Sequence, residues 1–229
     1  LDTTRRTENE IMCNIFKKIK NADISVTDDF FNSESSSVVN FIQLPENEKE
    51  AFNFLRDYLR EYAVETNFAT NAESQNQTKI LTVNRGGFWG CKNINNILEE
   101  NFGHNREGTP IIITGNLYEQ NLFNGDCGWL QGGKEKKMAV PDKGEISLRL
   151  LDGNYETAFA VTIHKSQGSE YKNVVIILPW EENNALLSRE ILYTGVTRAK
   201  EKIVIIGKKS VFESALQRQI FRYSGLIKD

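Results

Sequence analysis

Three unbroken apolar runs constrain this chain more than anything else in it: Ala158–Ile163 (AFAVTI), Asn173–Leu178 (NVVIIL) and Lys202–Gly207 (KIVIIG). A strand with one wet face alternates apolar and polar residues. Runs that are apolar at nearly every position fit strands covered on both faces, as in a parallel sheet. Ile80–Val83 (ILTV) reads the same way. Helical patterns alternate with these runs. Ile11, Ile15, Phe16 and Ile19 recur at helical spacing over 8–20, with Thr7 and Glu10 as a capping box. Phe52, Leu55, Leu59 and Tyr62 share one side of a helix over 46–65, and further patterns cover 188–199 and 210–221. Residues 24–44, rich in Ser and Asn, read as a loop and one strand. The fold class is α/β.

Residues 110–160 break this pattern. PIIIT, CGWLQ, KMAV and ISLRLL are short strands divided by the turn signals NGD, GGK, PDKG and LDGN. Closely spaced short strands predict a small β-barrel insertion, loosely packed on the main domain. Upstream, Gly86, Gly87 and Gly90 make a turn after ILTV, and Ile94, Ile97 and Leu98 begin a helix.

At 229 residues the chain makes one large domain or two small ones. No apolar run approaches the roughly 20 residues that cross a bilayer. Three separated cysteines and two histidines, without a C-x-x-C, argue for a reducing cytoplasm and against a zinc site. The net charge of −3 disfavours a nucleic-acid-coated protein while leaving room for a narrow basic groove. Leu1 in place of Met reads as a piece of a longer chain.

Two stretches imitate nucleotide motifs. Gly128, Gly133 and Lys134 have phosphate-loop spacing, but Glu135 stands where Ser or Thr would hold magnesium, and a β-hairpin follows instead of a helix. VVIILPWEE places Pro179 directly after a strand, with Glu181 and Glu182 beyond it, which reads as a solvated acidic loop. The chain thus lacks both the cradle and the magnesium carboxylates that NTP hydrolysis requires.

Against that background, AVTIHKSQGSEYKNVVII and LLSREILYTGVTRAKEKIVIIG resemble motifs V and VI of superfamily 1 helicases, and their wording is similar to the alpha-chain family of exodeoxyribonuclease V. LDTTRRTENEIMCNIFKKI resembles motif IV, although Arg5 stands where an aromatic is usual. RGGFWGCKNINNIL, LYEQNLFNGDCGWL and the tail RYSGL resemble further segments of that family. The resemblance implies the second RecA-like motor domain, without its own phosphate loop, over 1–106 and 162–229. It also implies an SH3-like barrel over 107–161. The whole protein would be an ATP-dependent 5′-to-3′ DNA helicase acting in double-strand-break repair and recombination, with ATP and Mg²⁺ held mainly by the preceding motor domain. Its partners would be single-stranded DNA, that motor domain, and the beta and gamma chains. A stand-alone helicase of the same superfamily and a non-catalytic DNA-docking module are the alternatives.

The resemblance implies roles residue by residue. Arg198 is the arginine finger, where the plain alternative is a helix-capping Arg. Arg6 contacts the γ-phosphate, with Arg5 as competitor. Thr162, His164, Lys165, Ser166 and Gln167 face DNA, while Gly168 and Glu170 face nucleotide; Tyr193 packs to position the loop, or contacts nucleotide. Without the paired motif VI, His164–Gly168 is an ordinary polar turn. From the residues themselves, Arg85 and Gly86, in a Gly-rich turn between strand and helix, hold a DNA phosphate, or simply start a helix. Phe88 and Trp89 stack on bases, or pack against the first domain.

Overall fold

The computed structural model describes residues 9–31, 37–65, 77–103, 106–133 and 135–219. Arg5, Arg6, Thr7, His104, Lys134 and the RYSGL tail lie outside them.

The first sheet is built from β1 (Val39–Gln43), β2 (Thr78–Thr82), β8 (Ala160–Thr162), β9 (Tyr171–Ile177) and β10 (Ala199–Gly207), in the order β1-β10-β9-β2-β8 with every pair parallel. The apolar runs divide their side chains between two cores. Val174, Ile176, Ile203 and Ile205 point to one face; Val175, Ile177, Val204 and Ile206 point to the other. The first face is covered by α1 (Glu10–Lys20), α2 (Val26–Phe31), α5 (Arg189–Val196) and α6 (Lys209–Gln217). The second is covered by α3 (Glu48–Glu65) and α4 (Cys91–Phe102). Each buried Ile or Val contributes about 1.5–3 kcal/mol relative to exposure, which is why double coverage selects such runs.

Between α4 and β8 lies a second, antiparallel sheet of β3 (Pro110–Ile113), β4 (Cys127–Gln131), β5 (Lys137–Val140), β6 (Gly144–Ser147) and β7 (Tyr155–Thr157), ordered β6-β5-β4-β3-β7. Ile111, Ile113, Leu130, Met138, Val140 and Leu151 give it a core of its own. Gln131 pairs with Lys137 across the β4–β5 hairpin, so the phosphate-loop imitation is a hairpin connection.

Several expectations need correction. Asn9 caps α1, its side chain accepting from the amides of Ile11 at 3.0 Å and Met12 at 3.3 Å. Residues 26–31 are helical because Val26 and Phe30, one turn apart, both find the first core. Leu148–Leu151 is a 3-10 turn capped by Ser147, where a strand was expected. The helix over 188–199 stops at Val196, since Ala199 already pairs with Tyr171 in the sheet. Among the described residues the second sheet meets the main domain at a few points only; for example, Thr157 donates its hydroxyl to Glu99, and Ile112 joins the first core.

Candidate functional site

The parallel register brings the ends of β2, β8 and β9 level: Thr82 lies opposite both Thr162 and Ile177. Ligand crevices in such sheets open beyond these C-terminal ends. From Thr162 the chain must reach Tyr171, which sits at the start of β9 opposite Ala199, at the N-terminal ends of the strands. Residues 163–170 therefore form a crossover that joins the two ends of the parallel strands.

Its root is fixed. Ile163 is fully buried, and α5 lies over it at Gly195, where an added Cβ would meet Ile163 Cδ1 and Ile176 Cδ1 at 3.1 Å. Such close approach of helix to sheet suits a residue without a side chain. Thr162 Oγ1 accepts the Lys165 amide at 3.3 Å, closing the first turn. His164, Lys165, Gln167 and Gly168 are exposed. Gly168 has φ +90°, a conformation L side chains avoid, and the Ser169 amide returns to Ser166 O at 3.0 Å. Ser166 departs from the sequence-based expectation. It is fully buried and donates its hydroxyl to Ile163 O at 2.8 Å, so its side chain holds the turn together and does not face a ligand.

At the opposite end of the strands, Arg198 is 6% exposed. Its guanidinium donates to Thr194 O at 3.1 Å, to Ser169 O at 3.1 Å and to Thr197 Oγ1 at 3.5 Å, while its own carbonyl accepts the Tyr171 amide at 2.8 Å. One side chain thus ties the last turn of α5 to the end of the crossover. Glu170 pairs with Lys200 at 2.9 Å, and Tyr193 is half-buried against the first core. Burial pushes the Tyr171 hydroxyl up to about 12.

Arg85 and Gly86 occupy the turn after β2. Arg85 O accepts the Lys92 amide, while the guanidinium pairs with Glu156 on β7. A cleft of about 540 Å³ opens beside this pair, lined by Lys92, Asn95, Thr162 and Lys165 among others. The turn splits the two aromatics: Phe88 is 65% exposed, whereas Trp89 is 5% exposed and stacks on Trp180.

Sequence reasoning missed Glu156, Asn95 and Lys79. Asn95 donates to Thr157 O at 2.8 Å and to Ala160 O at 3.0 Å, and accepts the Ala160 amide at 2.7 Å. A polar residue amid the buried positions of α4 was the available signal. Lys79, within β2, is buried and donates to Ala158 O at 3.0 Å; burial lowers its pKa. Among the described residues no group of three or more His, Cys, Asp or Glu side chains is placed to hold a metal, and no helix is long and apolar enough to cross a membrane.

Residues 157–206 match the UvrD-like helicase C-terminal domain. The RecBCD enzyme subunit RecD of Haemophilus influenzae is 36% identical over 165 residues, 67% of this chain and 25% of that protein. The ATP-dependent RecD2 DNA helicase of Deinococcus radiodurans is 29% identical over 155 residues, 62% of this chain and 21% of that protein. The chain spans about a quarter of the length of these relatives. A crystal structure of Bacteroides Pif1 bound to ssDNA superposes with a TM-score of 0.52 at 12% identity, covering 89% of this chain and 50% of that one. The parallel sheet has the RecA-like fold of such helicases.

Proposed function

We propose that this chain is the C-terminal motor half of an ATP-dependent 5′-to-3′ DNA helicase, the alpha subunit of exodeoxyribonuclease V, acting in double-strand-break repair and recombination. The observation that carries this reading is the 163–170 crossover. Its exposed His164–Lys165 end stands at the C-terminal ends of the strands, and its Ser169 end, bonded to Arg198, stands at the N-terminal ends. A short, pinned segment of this kind can pass a change at one ligand to another. Similarity to the RecD subunits and to the UvrD-like C-terminal domain supports the same reading.

In this proposal Thr162, His164, Lys165, Gln167, Arg85 and Gly86 meet single-stranded DNA, and Ser166 holds their loop. Gly168, Glu170 and Tyr193 line the nucleotide side, with Arg198 and Arg6 directed at the γ-phosphate. Arg198 donates to Thr194 O and Ser169 O, so it must leave those oxygens to reach a nucleotide across a cleft, and Gly128, where the phosphate-loop imitation starts, lies within the antiparallel strand β4. ATP with Mg²⁺ is held mainly by a preceding motor domain of the same chain, and when bound supplies the phosphoanhydride whose cleavage drives movement. Residues 107–157 are an inserted SH3-like unit beside the DNA path; the sequence-based boundary at 161 is too late, because Ala160 and Val161 pair with Ile80 and Leu81 in the parallel sheet. The beta and gamma chains are the expected partners. Similarity to the Deinococcus RecD2 helicase favours a second reading, a stand-alone motor.

Strand-displacement assays test the proposal. The full-length protein, with ATP, should unwind duplexes bearing a 5′ tail and co-purify with beta and gamma chains, whereas residues 1–229 alone should hydrolyse no ATP. Unwinding restricted to 3′-tailed duplexes would overturn the polarity. Unwinding of 5′-tailed duplexes without the other chains selects the stand-alone motor.

A further inference from the structure

We infer that the cleft between α4 and β7 seats one backbone phosphate of single-stranded DNA, and that the Glu156 carboxylate is a built-in competitor for the Arg85 guanidinium at that seat. The inference rests on the DNA-binding reading above and assigns a role to an acid that lies outside the helicase motifs.

Arg85 projects from the turn after β2 and Glu156 from the last strand of the second sheet, 71 residues apart in sequence. Their side chains are in contact while remaining 54% and 37% exposed. An ion pair this open to water is weakly held, so an incoming anion can exchange with it. A guanidinium donates to carboxylate and phosphate oxygens alike, so a phosphate can take the place of Glu156 on Arg85 Nη2. The surroundings favour an anion. Lys92 from α4 and Lys165 from the crossover line the same cleft. Arg85, Glu156 and Cys91 line it with them, so these charges face one space. The other acid lining the cleft, Glu99, already accepts the Thr157 hydroxyl.

Releasing Glu156 requires no movement of the second sheet. The strand that carries it is held independently, by Asn95 on Thr157 O and Ala160, and by Lys79 on Ala158 O. Only the Glu156 side chain has to turn away. Glu156 therefore sets how strongly Arg85 grips a passing strand.

The test is a double-mutant cycle on the full-length protein, read as fluorescence anisotropy of a labelled oligothymidylate across a salt series. Glu156→Gln should tighten binding about two- to five-fold at fixed salt, the range expected for freeing one exposed charge. Arg85→Ala should weaken binding and lower the slope of log K against log salt by about 0.7, the value of one single-strand phosphate contact. In the Arg85→Ala background, Glu156→Gln should no longer tighten binding. Unchanged or weaker binding by Glu156→Gln overturns the inference, as does equal tightening in both backgrounds, which would mark general repulsion. Failure of the parent protein to bind the oligonucleotide overturns the DNA-binding reading as well.

Discussion

Arg198 donates from Nη1 to the carbonyl oxygen of Ser169 at 3.1 Å, and this bond joins the end of the 163–170 crossover to the C-terminal turn of α5. The residue proposed to act on nucleotide is therefore also a fastener of the loop proposed to meet DNA.

This double duty makes Arg198→Ala informative. In the full-length protein kcat for ATP hydrolysis should fall by about 10³–10⁵, the range for arginine fingers, with little change in ATP affinity. The same change takes the Arg198 donor from the part-buried Ser169 carbonyl, at about 1–3 kcal/mol, so the melting temperature should fall too, while Thr194 O keeps the Thr197 hydroxyl. Arg198→Lys should recover part of the stability and little of the rate. A variant with normal kcat removes Arg198 from the chemistry.

His164→Ala should behave differently, because His164 is exposed at the other end of the crossover. DNA-stimulated ATPase should fall while the basal rate persists. Proportional loss of basal and stimulated rates would show that the two ends have no division of labour. Lys165→Ala should reduce the salt slope of DNA binding by about 0.7.

Asn95→Ala should destabilise the chain by about 2–4 kcal/mol, seen as a lower urea midpoint at unchanged m-value. It strips donors from Thr157 O and Ala160 O and the acceptor from the Ala160 amide, all at the junction of the two sheets. A loss below about 0.5 kcal/mol, the range of ordinary surface substitutions, would mean that the junction does not depend on this clamp.

Two buried groups give opposite pH dependences. Tyr171 holds its proton up to about 12, whereas an unfolded tyrosine releases it near 10. The unfolded state therefore binds fewer protons in that window, and stability should fall by about 2 kcal/mol as pH rises through it. Tyr171→Phe should make the fall shallower, leaving the part due to Tyr62, Cys91 and Cys127, whose burial shifts them the same way. Lys79 is shifted down by burial, so below about 10.5 the unfolded state binds the extra proton and stability rises with pH. Lys79→Met should remove that rise. Urea midpoints from pH 7 to 12 measure both, and variants that track the parent at every pH would contradict the assignments.

By itself the sequence determined the doubly covered strands of the parallel sheet, because burial on both faces demands apolar residues at consecutive positions. It also determined α3, whose Leu55 and Leu59 recur at the period of the helix, and the turn at Gly168, whose backbone angle an L residue resists. These are local consequences of covalent geometry and solvent exclusion. Only the tertiary structure decided which groups meet. Glu156 finds Arg85 across 71 positions, Asn95 finds Ala160 across 65 and Lys79 finds Ala158 across 79. Ser166 reads as one more polar loop residue until the buried Ile163 carbonyl beneath it is seen to take its hydroxyl. Such pairings depend on how parallel strands far apart in sequence are laid side by side. Local propensity carries no record of that order, so charge partners, buried clamps and the side chains left facing solvent emerge only once the sheet is assembled.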